Sequence, residues 1–296
     1  MTSSAEPLRL PVGGPLALDA LRGFLAAHAV PGLERHEAGR HTRLVATGRG
    51  AVAVRVDLTR LADDAVAVAV AGDAPMESLL PTLRRWLGLD TDGAAVDAAL
   101  ARDPLLRPFV AARPGLRVPG GVDPFETAVL AVLGQQVSLA AARTFAGRLV
   151  AAFGAPGPEG HVLFPTPADL AAAGADRVRA ATGVTGARAR TVVALASAVV
   201  DGLVVTDPDA LLRVPGIGPW TVAYVRMRAG RDPDAFLAGD LVLRRALGVA
   251  SAAEALRRAE PWRPWRAYAA MHVWTASVPA LQGVSPAATS AVAQGP

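Results

Sequence analysis

The chain has 296 residues, 52% of them hydrophobic, and a formal net charge of +4 at pH 7. It contains no cysteine and no lysine, so all 30 of its basic residues are arginines. These absences exclude disulfides, thiolate nucleophiles, cysteine-ligated iron–sulfur clusters and Schiff-base chemistry on a lysine amine. No apolar run approaches the ~18 residues of a membrane span and no signal segment opens the chain, which predicts a cytoplasmic protein without a membrane partner.

Residues 1–92 combine strand-like and helix-like patterns. Strand-like alternation of apolar residues is found in the segments 43–47, 51–58 and 65–70. Helical periodicity is found in the stretches 17–28 and 76–87. Together they predict an N-terminal unit with an antiparallel sheet and flanking helices. The histidines of this unit, interpreted as surface or core residues because they lack metal-ligand spacing, are His28, His36 and His41.

From residue 93 onward the pattern is helical, which gives an α+β protein overall. Asp123, Pro124 and Glu126 predict a helix start with an N-cap acid, a proline at the first position and a capping-box glutamate. Similar starts are predicted at Thr166–Asp169 and at Asp207–Asp209. Residues 93–282 form this region, and residues 283–296, which lack periodicity, are predicted to be a disordered tail.

A glycine-rich run at residues 212–221 is the most informative part of the chain. It indicates a helix end, a hairpin and a new helix, with Gly218 as N-cap and Pro219 at the first helical position. Gly216 and Gly218 offer bare amides beside a positive helix terminus, which suits a nucleic-acid phosphate. The basic surplus lies on this side, because residues 93–296 hold 20 arginines and 15 acidic residues. An ordinary tight turn between two helices is the alternative.

An acidic residue follows this hairpin at a second helix start. Trp220 and Tyr224 are four residues apart and share one helix face. After a loop rich in helix breakers, Asp240 opens the apolar-periodic segment 241–247. From this pattern alone, Asp240 is either a helix N-cap or a functional carboxylate. The other acids of the loop, interpreted as solvated, are Asp232 and Asp234.

These motifs resemble the helix-hairpin-helix DNA glycosylases, and most closely their alkylation-repair branch, the AlkA-type 3-methyladenine DNA glycosylase II. The resemblance is specific from about Arg113 to Ser277 and weak before about Gly93. It is carried by the segments ARPGLRVPGGVDPFETAVLAVLGQQVS, VPGIGPWTVAYVRMRA, DAFLAGDLVLRRAL and EPWRPWRAYAAMHVWTAS.

The resemblance implies a role for each motif. Asp240 would stabilise an oxocarbenium-like sugar and help water to complete hydrolysis. The implied base pocket consists of Trp220, Tyr224 and Trp274. The implied contacts to the DNA backbone come from Gly216, Gly218 and Thr221. Gln136 occupies the place where the best-known type of this family inserts a leucine into the base stack, so its wedge role is a departure from the family pattern.

By resemblance, residues 93–282 form a glycosylase region of two helical subdomains, and the protein is a monofunctional enzyme of base excision repair. Its partner would be double-stranded DNA containing alkylated purines, which are flipped out and hydrolysed to leave abasic sites. We expect a bacterial monomer, nucleoid-associated when acting. No cofactor is expected except a Na⁺ or K⁺ ion at the hairpin carbonyls. The alternatives are a non-catalytic helix-hairpin-helix DNA-binding protein, which needs no acid beside an aromatic pocket, and a monofunctional glycosylase for other damaged bases.

Overall fold

The computed structural model describes residues 6–281 and has an N-terminal antiparallel sheet followed by a helical region. The strands are β1 (Leu8–Pro11), β2 (Glu34–Glu37), β3 (Arg40–Thr47), β4 (Gly50–Ala62) and β5 (Ala65–Ala71). They form one sheet in the order β1-β5-β4-β3-β2. The three predicted strands are confirmed. β1 and β2 were not predicted, because each has only four residues and the sequence of β2, Glu-Arg-His-Glu, has no apolar alternation.

Two helices complete the N-terminal unit as predicted, α1 (Leu18–His28) and α2 (Met76–Leu87). Inward-facing residues alternate along β4, and Val54 and Val56 are fully buried there. Phe24 of α1 and Leu83 of α2 belong to the same hydrophobic core. This core also includes Met271, which lies far along the chain, so the unit is packed against the helical region.

The helical region is built around two further hydrophobic cores. Its helices are α3 (Gly93–Leu100), α4 (Arg107–Ala112), α5 (Pro124–Leu133), α6 (Leu139–Phe153), α7 (Pro167–Thr182), α8 (Gly186–Val200), α9 (Pro208–Leu212), α10 (Pro219–Arg228), α11 (Leu241–Leu247), α12 (Ala252–Ala259) and α13 (Arg266–Ser277). A short strand pair, β6 (Ala155–Pro156) and β7 (Val162–Leu163), follows α6. One core contains residues of α5–α10 and the other contains residues of α3, α4 and α10–α13. Helix α10 is shared: Val222 and Val225 face the first core, and Met227 faces the second.

Capping chemistry explains where several of these helices begin. The Asp123 carboxylate accepts a hydrogen bond from the Glu126 amide at 2.8 Å, and Thr166 forms a reciprocal capping box with Asp169. The expectation that Glu126 closes a capping box is wrong. Its carboxylate instead accepts two hydrogen bonds from Arg43 of β3, at 3.0 and 2.7 Å. Arg43 is almost fully buried, and a buried guanidinium needs a compensating charge.

The described residues leave two predictions untested. The division at residue 92 stays a prediction, and the predicted tail at 283–296 lies outside the described residues. None of the helices between residues 6 and 281 is long and apolar enough to cross a lipid bilayer.

Candidate active site

The hairpin between α9 and α10 requires glycine at one position and leaves an open surface at another. Gly216 has φ of +87°, and a Cβ atom there would lie 1.9 Å from the hydroxyl of Thr191. Gly218 is the N-cap of α10, and a Cβ there would meet no atom within 4 Å. The first helical hydrogen bond runs from the Val222 amide to the Gly218 carbonyl at 3.1 Å. The amides that precede this bond therefore have no partner within the helix.

A glutamine that the sequence analysis did not single out joins the hairpin to the loop between α5 and α6. The Gln135 side-chain amide donates to the Thr221 hydroxyl at 3.0 Å and to the Gly216 carbonyl at 3.3 Å. Arg188 donates to the Gln135 carbonyl at 2.5 Å. Thr221 is only 2% exposed, so its hydroxyl supports the hairpin from inside. The sequence shows two adjacent glutamines, but only the packing shows that Gln135 binds the hairpin while Gln136 is exposed.

Gln136, the predicted wedge residue, is exposed and lies in the loop between α5 and α6. Its φ is +53°, a left-handed conformation that costs a residue other than glycine about 1–2 kcal/mol. Such a conformation persists only where the surrounding structure imposes it. Here Gly134 ends α5 and Ser138 caps α6 within four residues, which leaves Gln136 projecting from a tight loop.

Asp240 caps α11 and also faces two tryptophans. Its Oδ1 accepts hydrogen bonds from the Leu243 amide at 2.9 Å and from the Trp274 indole at 3.1 Å, and its Oδ2 accepts from the Trp220 indole at 3.1 Å. Indole and amide nitrogens only donate, so Asp240 is the acceptor in all three bonds. Within residues 6–281 this carboxylate has no salt-bridge partner. Asp240 is thus an N-cap whose negative charge is not neutralised by a cation.

The aromatic residues named from the sequence continue away from this carboxylate. Tyr224 stacks on Trp220 with ring centroids 5.4 Å apart and planes 14° apart. The Tyr224 hydroxyl accepts a hydrogen bond from Arg228 at 2.8 Å. The Arg228 guanidinium lies 4.6 Å from the ring centroid of Phe24, a residue of α1. Asp240, Trp220, Tyr224 and the N-terminal unit therefore border one continuous surface.

This surface encloses a pocket of about 420 Å³. Asp240, Trp220 and Trp274 lie at the border of the pocket, and His28 and Trp86 extend its lining into the N-terminal unit. Phe24 and His28 were not singled out as site residues, because no local pattern indicates that α1 faces the pocket. Trp86 is also a core residue, since it is 3% exposed.

The chemical state of His28 follows from its contacts. Its Nδ1 donates to the Phe24 carbonyl at 2.8 Å, and its ring stacks on that of Phe24 at 4.0 Å. Burial and the nearby Arg228 lower the pKa of His28 to about 4. The imidazole is therefore neutral at neutral pH, with Nδ1 protonated and Nε2 a hydrogen-bond acceptor.

A buried ion cluster of Glu34, Arg43 and Glu126 also lines the pocket. Burial raises the pKa of Glu126 above its ordinary value. For Glu34, burial alone would raise the pKa, but Arg43, His41 and the Val30 amide together outweigh burial and lower the pKa to about 2. Since Arg43 binds both carboxylates, the cluster fixes β2 and β3 against α5.

The other acids near Asp240 are neutralised. Asp234 accepts from Arg266 at 2.8 and 2.7 Å and also pairs with Arg263. Its side chain is 19% exposed, so the expectation that Asp234 is solvated is wrong. Asp232 pairs with Arg226. Because each of these two carboxylates forms an ion pair with arginine, neither has an unpaired negative charge that could stabilise a bound cation.

No side-chain metal site is present within residues 6–281, where no cluster of three or more His, Asp or Glu residues has a suitable arrangement. A monovalent cation would instead bind carbonyl oxygens of the hairpin. The Gly216 carbonyl accepts one hydrogen bond, from Gln135, and keeps a second lone pair for a hard cation. The hairpin is compatible with such an ion.

Comparisons with known proteins agree with this arrangement. Residues 7–123 match the model of the AlkA N-terminal domain, and residues 129–261 match that of the HhH-GPD superfamily base excision DNA repair proteins. The structure of a 3-methyladenine DNA-glycosylase from Archaeoglobus fulgidus superposes with a TM-score of 0.80 at 21% identity, covering 91% of this chain and 98% of that one. That similarity shows the fold.

Two curated relatives are more similar in sequence. The probable bifunctional transcriptional activator/DNA repair enzyme AlkA of Mycobacterium tuberculosis is 42% identical over 287 residues, which cover 90% of this chain but 56% of that protein. The present chain thus spans little more than half of that relative. The DNA-3-methyladenine glycosylase 2 of Escherichia coli is 35% identical over 265 residues, which cover 85% of this chain and 91% of that protein. The chain therefore belongs to the family of DNA-3-methyladenine glycosylase 2, within the HhH-GPD superfamily of base excision DNA repair proteins.

Proposed function

We propose that this protein is a monofunctional DNA glycosylase that releases alkylated purines, of the 3-methyladenine type, from double-stranded DNA. The observation that carries the proposal is the carboxylate of Asp240, which is bound by two indole N–H groups and no arginine, at the border of an aromatic pocket. The relatives from Escherichia coli and Archaeoglobus fulgidus are named for 3-methyladenine, which agrees with this substrate class.

Alkylation of a ring nitrogen makes the purine cationic, and this charge defines the reaction. When the C1′–N bond breaks, its electron pair moves to the base, which leaves as a neutral molecule, while the sugar becomes an oxocarbenium-like cation. Asp240 stabilises that cation, and its negative charge is most effective in a pocket that excludes bulk water. Water then forms the new bond to C1′ and releases a proton to solvent. The products are an abasic site and the free base.

The pocket favours a cationic base over a neutral one. Trp220 and Tyr224 present stacked π-faces, to which a positively charged purine is attracted more strongly than an undamaged base. Trp274 and Trp220 direct their N–H groups at Asp240, so their rings border the space beside the carboxylate. Selection by charge requires no base-specific hydrogen-bond pattern.

Two features near the pocket suit the extrusion of a nucleotide from the duplex. The open face of Gly218 at the start of α10 suits a phosphate, and Gly216 and Thr221 complete this proposed backbone contact. A Na⁺ or K⁺ ion on the hairpin carbonyls would add positive charge there. The exposed Gln136 would enter the space that the extruded base leaves. Gln135 connects both features, because it binds the hairpin and precedes Gln136.

The chain has no lysine, so it lacks the ε-amine that bifunctional glycosylases use to cleave the DNA strand. We propose base release without strand cleavage, by a monomer that associates with the bacterial nucleoid while it acts. In the test, the protein is incubated with dimethyl-sulfate-treated DNA and the freed bases are identified by mass spectrometry. Release of 3-methyladenine, with strand breaks only after alkali, supports the proposal. Binding without base release would instead identify a DNA-binding protein, and enzyme-dependent nicking would reject the monofunctional mechanism.

A glycosylase for other damaged bases is the second candidate. The same reaction on DNA that carries oxidised, deaminated or mismatched bases separates it from the first. A neutral damaged base gains less from the stacked rings of Trp220 and Tyr224, so the first candidate predicts less release of those bases than of methylated purines. Greater release of those bases would favour the second candidate.

A further inference from the structure

The loop between α5 and α6 places one polar side chain at the border of the pocket. Gly134, Val137 and Ser138 line the pocket, whereas Gln136, which lies between them in the sequence, is exposed and does not line it. The loop therefore turns at Gln136, whose side chain projects into solvent beside the pocket.

The position of Gln136 is fixed by the protein. Before it, the Gly134 amide donates to the Leu130 carbonyl at 3.0 Å and ends α5. The Gln135 carbonyl accepts from Arg188 at 2.5 Å, and the Gln135 side chain binds the hairpin between α9 and α10. Gln136 itself has φ of +53°, which a residue other than glycine keeps only where its surroundings impose it. A residue ordered in this way loses less conformational entropy on contact with a ligand than one on a mobile loop.

The side-chain amide of Gln136 has no hydrogen-bond partner within residues 6–281, whereas that of Gln135 has two. In solution water supplies the partners. Inside a stack of bases water is excluded, and an amide left without partners would weaken binding by about tenfold or more. An apolar side chain of the same length would carry no such penalty. A glutamine therefore suits this space only if the DNA offers it both a donor and an acceptor.

One set of polar atoms in the DNA meets that need. When a base is extruded, the Watson–Crick edge of the opposite base loses its partner and faces the space that the extruded base leaves. Thymine presents there an N3–H donor beside the O4 acceptor, and cytosine presents an N4–H donor beside the N3 acceptor. A primary amide has the complementary groups, because its carbonyl oxygen accepts and its NH₂ group donates.

We propose that Gln136 binds the unpaired base on the opposite strand through both ends of its amide, with Oε1 accepting from the base and Nε2 donating to it. The inference rests on the proposed function, because Gln136 contacts this base only after the damaged nucleotide has been extruded. The contact recognises a hydrogen-bonding edge, and thymine and cytosine satisfy it alike. The stability of the extruded complex then depends on the strand that carries no damage.

The test measures binding to duplexes that contain a tetrahydrofuran abasic site opposite thymine, cytosine or difluorotoluene. Difluorotoluene has the shape of thymine but lacks its hydrogen-bonding groups, so it removes only the edge that Gln136 would contact. Dissociation constants are measured by fluorescence anisotropy at one salt concentration. We expect the wild type to bind the thymine and cytosine duplexes with similar affinity, and the difluorotoluene duplex about tenfold more weakly.

Two variants at neighbouring glutamines separate this contact from the support of the hairpin. Gln136→Met keeps an unbranched side chain of similar length but removes both polar groups. It should bring the ratio of the difluorotoluene to the thymine dissociation constant to about one. Gln135→Met is the matched control. It removes the side-chain bonds to the hairpin, so we expect weaker binding to every duplex and an unchanged ratio.

The proposal is overturned if the wild-type ratio is close to one, or if Gln136→Met keeps the wild-type ratio in a folded protein. Binding to the cytosine duplex as weak as that to the difluorotoluene duplex would also overturn it. Should Gln136→Met not fold, Gln136→Leu replaces it, with the same expected and contradicting results. A wild type that shows the expected ratio but releases no base from dimethyl-sulfate-treated DNA would support the contact and reject the glycosylase function.

Discussion

Asp240 and Asp103 have nearly the same local environment but different charge partners. Each accepts one backbone hydrogen bond, from Leu243 to Asp240 and from Leu105 to Asp103. Each also accepts an indole N–H, and for Asp103 the donor is Trp262 at 2.8 Å. The difference is the remaining donor, which is a second indole for Asp240 and the guanidinium of Arg258 for Asp103.

That difference decides whether the negative charge is available to a ligand. Arg258 binds both oxygens of Asp103, at 2.8 and 3.1 Å, and holds the pKa of Asp103 far below its ordinary range. A carboxylate neutralised in this way stabilises the fold but has little field left for a developing cation. Asp240 is held by neutral donors only and borders the pocket, so its field acts on whatever enters.

The largest expected effect follows from removing the charge of Asp240. Asp240→Asn keeps the shape of the side chain but loses the negative charge, so we expect base release to fall by about 10²–10³-fold or more. Binding to abasic-site DNA should remain close to that of the wild type, because the hairpin is untouched. Single-turnover release and fluorescence anisotropy measure the two quantities. Equal release by variant and wild type would remove Asp240 from the mechanism.

The same substitution at Asp103 should act on stability. Asp103→Asn weakens the paired Arg258 contact, and we expect the free energy of unfolding to fall by about 2 kcal/mol. Base release per folded molecule should stay at the wild-type level. Urea unfolding measures the first quantity. A folded Asp103→Asn protein with abolished base release would show that the comparison between the two carboxylates is misleading.

Removing one indole N–H tests the donors of Asp240 separately. Trp274→Phe retains a ring at the pocket border but removes one hydrogen bond to the carboxylate, which is worth about 1 kcal/mol. We expect roughly a five- to tenfold slower base release and a similar loss for Trp220→Phe. A faster variant, or one without change, would indicate that these N–H groups do not position Asp240.

The last expected effect concerns the pH dependence of stability. In the folded protein the pKa of both His28 and His272 is lowered to about 4, mainly by burial. In the unfolded chain the pKa of each is 6.5. Between pH 6.5 and 4 the unfolded chain therefore binds more protons than the folded one, and the free energy of unfolding falls as the pH falls. His272→Phe should flatten this dependence by up to about 1.4 kcal/mol per pH unit. Denaturant titrations of the wild type and of His272→Phe at several pH values measure the slope. An unchanged slope would contradict the assignment.

Local signals predicted much of the fold. The aspartate at 123 and the threonine at 166 mark helix starts, because their side chains satisfy amides that the first helical turn leaves free. The role of Glu126 was not predictable in this way, since its partner Arg43 is 83 residues away. Long-range ion pairs leave no periodic pattern in the sequence.

The residues of the candidate site also differ in whether local sequence signals or long-range packing determine their roles. The hairpin and Asp240 lie within a short stretch of chain whose glycine and capping signals indicated the helix starts. The functional role of Asp240 was inferred from the family resemblance, because the pattern alone also fits a simple N-cap. Trp274 was named only through the family resemblance, because nothing in its own helix indicates a pocket. Gln135 and Phe24 were missed, since their contacts with α10 depend on how separate elements pack.

Helix α10 belongs to both helical cores and is ten residues long, or about 15 Å at 1.5 Å per residue. Its first turn carries the hairpin amides, and its last turn carries Arg228, which contacts the N-terminal unit. The helix therefore fixes the distance between the hairpin, where we propose that a phosphate binds, and the stacked rings of Trp220 and Tyr224. Insertion of a single alanine after Tyr224 would turn Arg228 by about 100° about the helix axis and detach it from Phe24, without altering any residue named in the catalytic step.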